Sequence, residues 1–145
     1  DGVYLAEQFA RLLDLQSAMC RELEQIADQL PDISDRHACL NLAQRMLPLI
    51  KRAHEFEEAQ IWPILSVETT TILDIKETLN RLSFEHWGDE DFAEQVFHLL
   101  RDYAQLPERE KADALAWTLR GFFQNMQRHI AFEREFLLPL IANRE

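Results

Sequence analysis

The chain has 145 residues, 47% of them hydrophobic, and carries 26 acidic against 15 basic residues for a formal net charge of −11. This apolar content excludes a disordered segment, and the length is enough to bury one core, so we predict a single domain over residues 1–145. The acidic balance disfavours nucleic acid and anionic lipid as partners. No apolar stretch of about 18 residues could span a membrane. Cys20 and Cys39 form no Cys-x-x-Cys motif, which favours reduced thiols and a cytoplasmic location.

The first predicted helix follows from apolar residues that recur three and four positions apart, the mark of a buried helical stripe. With only 3 Gly and 5 Pro, the composition also favours helices. This helix ends at Leu30-Pro31, because proline disfavours helical backbone in the residue before it. Its stripe reads Leu5, Phe9, Leu12, Gln16, Met19, Leu23, Ile26 and Leu30.

The second and third predicted helices continue the same pattern. Ser34 or Asp35 is expected to cap the second helix, and Pro48 inside it is expected to produce a kink. Its stripe reads Leu40, Ala43, Leu47, Ile50, His54, Glu58, Ile61 and Leu65. The third helix is predicted to start near Thr69–Thr71. Its stripe reads Ile72, Ile75, Leu79, Leu82, His86, Glu90, Ala93, Phe97 and Leu100.

The fourth predicted helix begins after Pro107, since proline is favoured in a first helical turn. Its stripe reads Leu115, Leu119, Phe122, Met126, His129, Glu133, Phe136 and Leu140. Long helices joined by short connections pack antiparallel to their sequence neighbours. The predicted fold is therefore all-α, an up-down-up-down antiparallel four-helix bundle.

Polar side chains interrupt all four apolar stripes. The interruptions are Gln16, His54 and Glu58, His86 and Glu90, and His129 and Glu133. A buried carboxylate without a partner is costly, and a metal cation satisfies imidazole nitrogens and carboxylate oxygens together. In both His-x3-Glu pairs the two side chains share one helix face. The mixed nitrogen and oxygen set favours iron, with manganese or zinc as alternatives.

The metal interpretation depends on the whole set of residues. A single histidine in such a stripe is more often a hydrogen-bonded core residue than a ligand. His37 and His98 fall outside the stripes and are predicted to lie on the surface, and Glu57 and Glu135 are predicted to be solvated. The three tryptophans are expected to pack mostly in the core.

The motifs around these residues resemble those of the hemerythrin-like family, the HHE cation-binding domains, over nearly the whole chain. They are His54-Glu55-Phe56-Glu57-Glu58 with Pro63, Glu85-His86, and His129-Ile130-Ala131-Phe132-Glu133 with Pro139. The first and third also repeat each other, offset by one residue. The resemblance implies a left-handed four-helix bundle around two oxygen-bridged irons. Under it, Glu58 and Glu133 would bridge the metals, and the terminal ligands would be His54, His86 and His129.

Other positions carry the resemblance further or depart from it. Glu55 matches an extra carboxylate that some members place after this histidine. Members usually have a histidine in the middle of the first helix, where this chain has Gln16. The oxygen-carrying members have a histidine where this chain has Glu90, and an aspartate where it has Arg134. Reversible oxygen transport is therefore the family activity with the least support.

Three functions remain open from the sequence. The first is a module that senses or responds to iron, oxygen or nitric oxide. The second is an enzyme such as a ferroxidase, a peroxidase or an iron-centre repair factor, which needs an open coordination position. Gln16 would provide that position, because an amide is a poorer ligand than imidazole. The third is a metal-free helical interaction domain with a degenerate site. The small ligands expected in the first two cases are oxygen, nitric oxide and peroxide.

Overall fold

The computed structural model describes residues 2–67 and 75–144, and helices account for most of them. The long helices are α1 (Gly2–Gln29), α2 (Arg36–Phe56), α4 (Ile75–Gln105) and α5 (Ala112–Phe132). After α2 come a π-helical turn, π1 (Glu57–Ile61), and the short helix α3 (Trp62–Leu65). After α5 come a second π-helical turn, π2 (Glu133–Leu137), and the short helix α6 (Leu138–Ala142). A 3-10 turn, Arg109–Lys111, precedes α5.

The ends of these helices follow local sequence signals. The side chain of Asp35 caps α2 by accepting a hydrogen bond from the Ala38 N–H at 3.0 Å, which satisfies one of the free donors of the first turn. Helix α1 stops just before Pro31, as predicted. Helix α2 continues through Pro48. The predicted start of the third helix, Thr69–Thr71 with Ile72, lies outside the described residues.

The four long helices pack in a ring. Helix α1 packs along α5 and α2, and α4 packs along α2 and α5. The contact between α3 and α6 brings the C-terminal ends of the second and fourth helices to the same end of the bundle. At the opposite end, the Tyr103 hydroxyl donates to the Pro31 carbonyl at 2.5 Å, and Arg36 Nε donates to the Ala104 carbonyl at 2.6 Å. The up-down-up-down antiparallel four-helix bundle is thereby confirmed.

The core lies along the axis of the bundle. Its largest fully buried side chains include Phe9, Leu13, Met19, Leu23, Met46, Ile50, Leu100, Phe122 and Phe123. The prediction that the tryptophans pack mostly in the core is wrong for two of the three. Trp87 is 70% exposed and Trp117 is 82% exposed, whereas Trp62 packs against the core.

The predicted stripe of the last helix shifts by one residue beyond Glu133. Leu137 and Ile141 are fully buried there, in place of the predicted Phe136 and Leu140. The π turn at this point inserts one extra residue into the helix, so the face that points inward advances by one position. No described helix is both long enough and apolar enough to cross a membrane.

Candidate metal centre

A small internal cavity lies where polar side chains from all four long helices meet. It has about 10 Å³ of room for the centre of a water-sized sphere, which corresponds to roughly one water molecule. Its polar lining includes Gln16, His54, Glu57, His86, His129 and Glu133. Leu82, Met126 and Ile130 supply apolar walls. Five of the seven polar interruptions of the stripes therefore converge on one place, and Glu58 and Glu90 do not line it.

Glu57, His86 and Glu133 form the closest group of potential metal ligands in the described part of the chain. One ligand atom from each lies within 4.8 Å of the others. His86 Nε2 is 3.5 Å from Glu57 Oε1 and 3.8 Å from Glu133 Oε1, and Glu57 Oε1 is buried without a hydrogen-bond partner. Ligand atoms about 2.0–2.2 Å from one ion lie roughly 3–4 Å apart. This group therefore has the spacing of a cation site.

The two buried carboxylates are placed by the π turns, because Glu57 and Glu133 are the first residues of π1 and π2. In each turn the backbone N–H five residues further on donates to the carbonyl of the glutamate. Pro63 and Pro139 follow, with one residue between the end of the turn and the proline. A proline in a regular α-helix loses its hydrogen bond and clashes with the carbonyl four residues before it, and the wider π turn relieves that clash.

The structure corrects the prediction for Glu57, which is only 2% exposed and was expected to be solvated. The side chain of Glu58 is 46% exposed, and its Oε2 lies 3.0 Å from His86 Nδ1. Glu57 and Glu133 each precede a proline by six residues. Aligning the two repeats by their prolines would have identified Glu57, whereas aligning them by their histidines selected Glu58. The role of Glu58 as a ligand stays a prediction.

Each histidine of the centre has its Nδ1 held by a carboxylate that comes from another helix. The pairs are His54 with Glu90 at 2.7 Å, His86 with Glu58 at 3.0 Å, and His129 with Asp89 at 2.7 Å. Such a carboxylate fixes the ring orientation and makes the opposite nitrogen a better ligand. Nε2 of each ring is then the nitrogen available to a metal.

Asp89 is a buried site residue that the sequence reasoning missed. Besides His129, it binds Asn125, whose Nδ2 donates to Asp89 Oδ1 at 3.0 Å. The available signal was its position one helical turn after His86, on the same face. On the other side of His129, Nε2 lies 3.3 Å from Glu85 Oε1.

The remaining predicted ligands differ in how close they come to the centre. Gln16 is 3% exposed and lines the cavity, with its Nε2 donating to the Leu12 carbonyl at 3.3 Å. Glu90 is part-buried and reaches the centre only through His54. Glu55 is exposed and does not line the cavity. Direct metal ligation by Glu55 and Glu90 stays a prediction.

The histidines are further ordered by ring stacking. The rings of His54 and His86 are parallel within 6°, with centroids 3.6 Å apart, and Trp62 stacks on the other face of the pair at 4.9 Å from His86.

Burial and the neighbouring His86 lower the pKa of His54 to about 4, so this ring is neutral at pH 7 and has a lone pair to donate. Burial opposes ionisation of His86, but the neighbouring carboxylates of Glu133 and Glu58 raise its pKa.

Full ionisation of the paired carboxylates is unfavourable in this buried site. Burial raises the pKa of Glu57 to about 7, and burial together with the charge of Glu57 raises the pKa of Glu133 well above its usual range. A proton held between the two carboxyl groups relieves their mutual repulsion. A cation between them removes the need for that proton, so the residues present fit a metal ion.

Comparison with known proteins gives one match. The family described as hemerythrin HHE cation binding domain matches residues 7–141. No curated protein and no solved structure is significantly similar to the chain.

Proposed function

Because this chain belongs to the hemerythrin HHE cation-binding domain family, we propose that it holds two iron ions in its internal cavity and uses them to respond to a small ligand. The ligand is oxygen, nitric oxide or peroxide. The observation that carries the proposal is the buried pair Glu57 and Glu133, whose carboxylates lie close enough to each other and to His86 to bind one cation. A purely structural core has no use for such a pair, since apolar residues of similar size would be more stable.

The proposed ligand set follows from the contacts described above. The carboxylates of Glu57 and Glu133 and Nε2 of His54, His86 and His129 would hold the ions. Three carboxylates of the outer layer, Glu58, Asp89 and Glu90, hold the histidine rings in place. This mixture of imidazole and carboxylate favours iron over harder or softer metals, with manganese and zinc as competitors.

The protein's own contribution is to orient ligands and exclude water. When bound, iron would supply an open coordination position and a change of oxidation state. The apolar walls from Leu82, Met126 and Ile130 lower the local polarity, which strengthens every charge interaction inside the cavity. Gln16 offers a neutral amide where an imidazole would bind more strongly, so one of the two positions is the weaker one.

The decisive experiment is metal analysis of protein purified without chelator and then reconstituted with ferrous iron. We expect close to two irons per chain, and a marked loss of iron in Glu57→Gln and Glu133→Gln. The matched control is Glu58→Gln, one residue along the chain, which should keep most of its iron because it removes only an outer contact to His86. His54→Ala and His129→Ala should lower both iron content and melting temperature.

Two results would overturn the proposal. One is wild-type protein that takes up no metal after reconstitution, which would favour the metal-free interaction domain. The other is a Glu57→Gln variant that retains iron while Glu58→Gln loses it, which would return the ligand role to Glu58. Turnover of peroxide or ferrous iron by the loaded protein would favour an enzyme over a sensing module.

A further inference from the structure

An open groove runs along the outside of the bundle between α4 and α5. It encloses about 480 Å³. Its outer lining combines aromatic, small and polar residues: Phe84, Gly88, Phe92, Gly121, Asn125 and Arg128. The groove faces solvent, and Phe84 at its edge is 74% exposed.

The inner wall of this groove is also a wall of the metal centre. Glu85, Asp89 and His129 line both the groove and the internal cavity. The side chain of His129 is 22% exposed, whereas those of His54 and His86 are 4% and 6% exposed. One layer of side chains therefore separates the centre from the solvent at this point, and His129 is the histidine of the centre that solvent reaches most easily.

Two glycines lie along the groove, although the backbone does not require them there. Neither Gly88 nor Gly121 has a positive φ, and both lie inside helices, where glycine is less stable than alanine. A Cβ at Gly88 would meet no atom within 4 Å, and one at Gly121 would lie 3.8 Å from Phe92 Cζ, an ordinary contact. A Cβ at either position would therefore enter the groove without a steric clash. The absence of side chains there keeps the groove open.

We propose that this groove is the entrance through which small ligands reach the metal centre, with Gly88 and Gly121 keeping it open and His129 as its inner gate. The inference rests on the metal centre proposed above. It also limits the ligand, because only the side chains of Glu85, Asp89 and His129 lie between the groove and the cavity. A molecule of two or three atoms should pass them, and a bulky organic ligand should stop in the groove.

The first test uses metal-free protein, so that it does not depend on metal binding. Diethyl pyrocarbonate acylates accessible imidazoles, and mass spectrometry of peptides measures the rate at each histidine. In the wild type, His129 should react several-fold faster than His54 and His86. In Gly88→Leu, with Gly121→Leu as a second variant, the rate at His129 should fall several-fold. The exposed His37 and His98 serve as internal standards whose rates should not change.

The matched control is Gln127→Leu, which adds the same side chain at an exposed position of α5 that does not line the groove. It should leave the rate at His129 unchanged. The glycine variants should melt at a higher temperature than the wild type, since leucine favours helix more than glycine does. Slower acylation of His129 together with a higher melting temperature would indicate a blocked entrance. A destabilised fold would instead lower the melting temperature and speed acylation.

The second test uses iron-loaded protein and azide as the small ligand. Gly88→Leu should slow azide association several-fold while leaving iron content unchanged. If the wild type holds no iron but the acylation result stands, the groove is real and the proposed metal function fails. If iron binds normally and Gly88→Leu and Gly121→Leu leave both rates unchanged, the entrance lies elsewhere and this inference is overturned.

Discussion

Glu57 and Glu133 are acids held where water cannot solvate their charge, and this has a consequence for the metal-free protein. Burial raises the pKa of Glu57 from 4.5 to about 7. Between these two pH values the folded chain keeps a proton that the unfolded chain has released. The free energy of unfolding therefore falls as the pH rises through this window, by about 3 kcal/mol at most, and the loss is complete above pH 7.

Replacing Glu57 should raise the stability of the metal-free protein and lower the amount of iron that the protein binds. We expect metal-free Glu57→Gln to melt several degrees above metal-free wild type at pH 8, because the amide has no charge to desolvate. Most of that gain should disappear at pH 5, where Glu57 is protonated in the folded wild type. Calorimetry at the two pH values measures the difference. A lower melting temperature for the variant at pH 8 would show that the carboxylate is not destabilising in the empty site.

The two cysteines provide a second prediction at this scale. Burial raises the pKa of the Cys20 thiol to about 12 and that of Cys39 to about 11. Since the thiolate is the reactive form, both should be inert to a disulfide reagent at pH 8 in the folded protein. Protein unfolded in guanidinium should release two thiols at once and serves as the control. Rapid reaction of native protein would contradict the burial of these side chains.

At the scale of the helix, Pro63 and Pro139 explain why two otherwise regular helices contain a π turn at the candidate metal centre. Each π turn begins at a buried glutamate and ends just before a proline. Beyond the glutamate, the wider turn brings Ile61 and Leu137 to the fully buried face. The two candidate metal ligands and the break in helical geometry therefore occur at the same point of each helix.

Removing the proline should weaken the site without unfolding the bundle. Pro63→Ala restores a backbone donor and removes the clash that favours π1, so a regular α-helical turn becomes competitive. We expect a lower affinity for iron, measured by titration, together with a helical circular dichroism spectrum like that of the wild type. The control is Pro48→Ala, inside α2 and away from both π turns, which should raise stability and leave iron affinity unchanged.

The sequence was sufficient to predict the bundle, the order of its helices and the convergence of His54, His86 and His129, because a 3.6-residue period survives in any straight helix. It was insufficient where that period breaks, as it does beyond Glu133, and where residues three and four positions on share one helix face. In the second and third helices the count of four positions from the histidine was used, whereas the structure buries the residue three positions on, Glu57 or Asp89. The pairing of Asp89 with His129 on another helix leaves no periodic signal either.

At the scale of the whole molecule, the first and second halves of the chain pack in the same way. The packing of α1 on α5 corresponds to that of α4 on α2, and α1 on α2 corresponds to α4 on α5. Each half contributes one π turn and one buried glutamate, Glu57 or Glu133. The halves differ at the polar residue of their first helix, which is Gln16 in one and His86 in the other.

The two halves of the bundle are related by an approximate twofold axis, and the polar lining departs from that symmetry at Gln16. A true twofold axis between the carboxylates would make two metal positions identical, and they would fill together. With this departure from symmetry, they should fill in sequence, so an iron titration of the wild type should show two phases. Gln16→His should merge them into one, whereas Gln16→Leu should weaken the second phase further. Identical titrations for all three proteins would mean that Gln16 does not contact a metal. Two phases that merge in Gln16→His would mean that this single amide sets the order in which two ions enter and the position that stays open for a ligand.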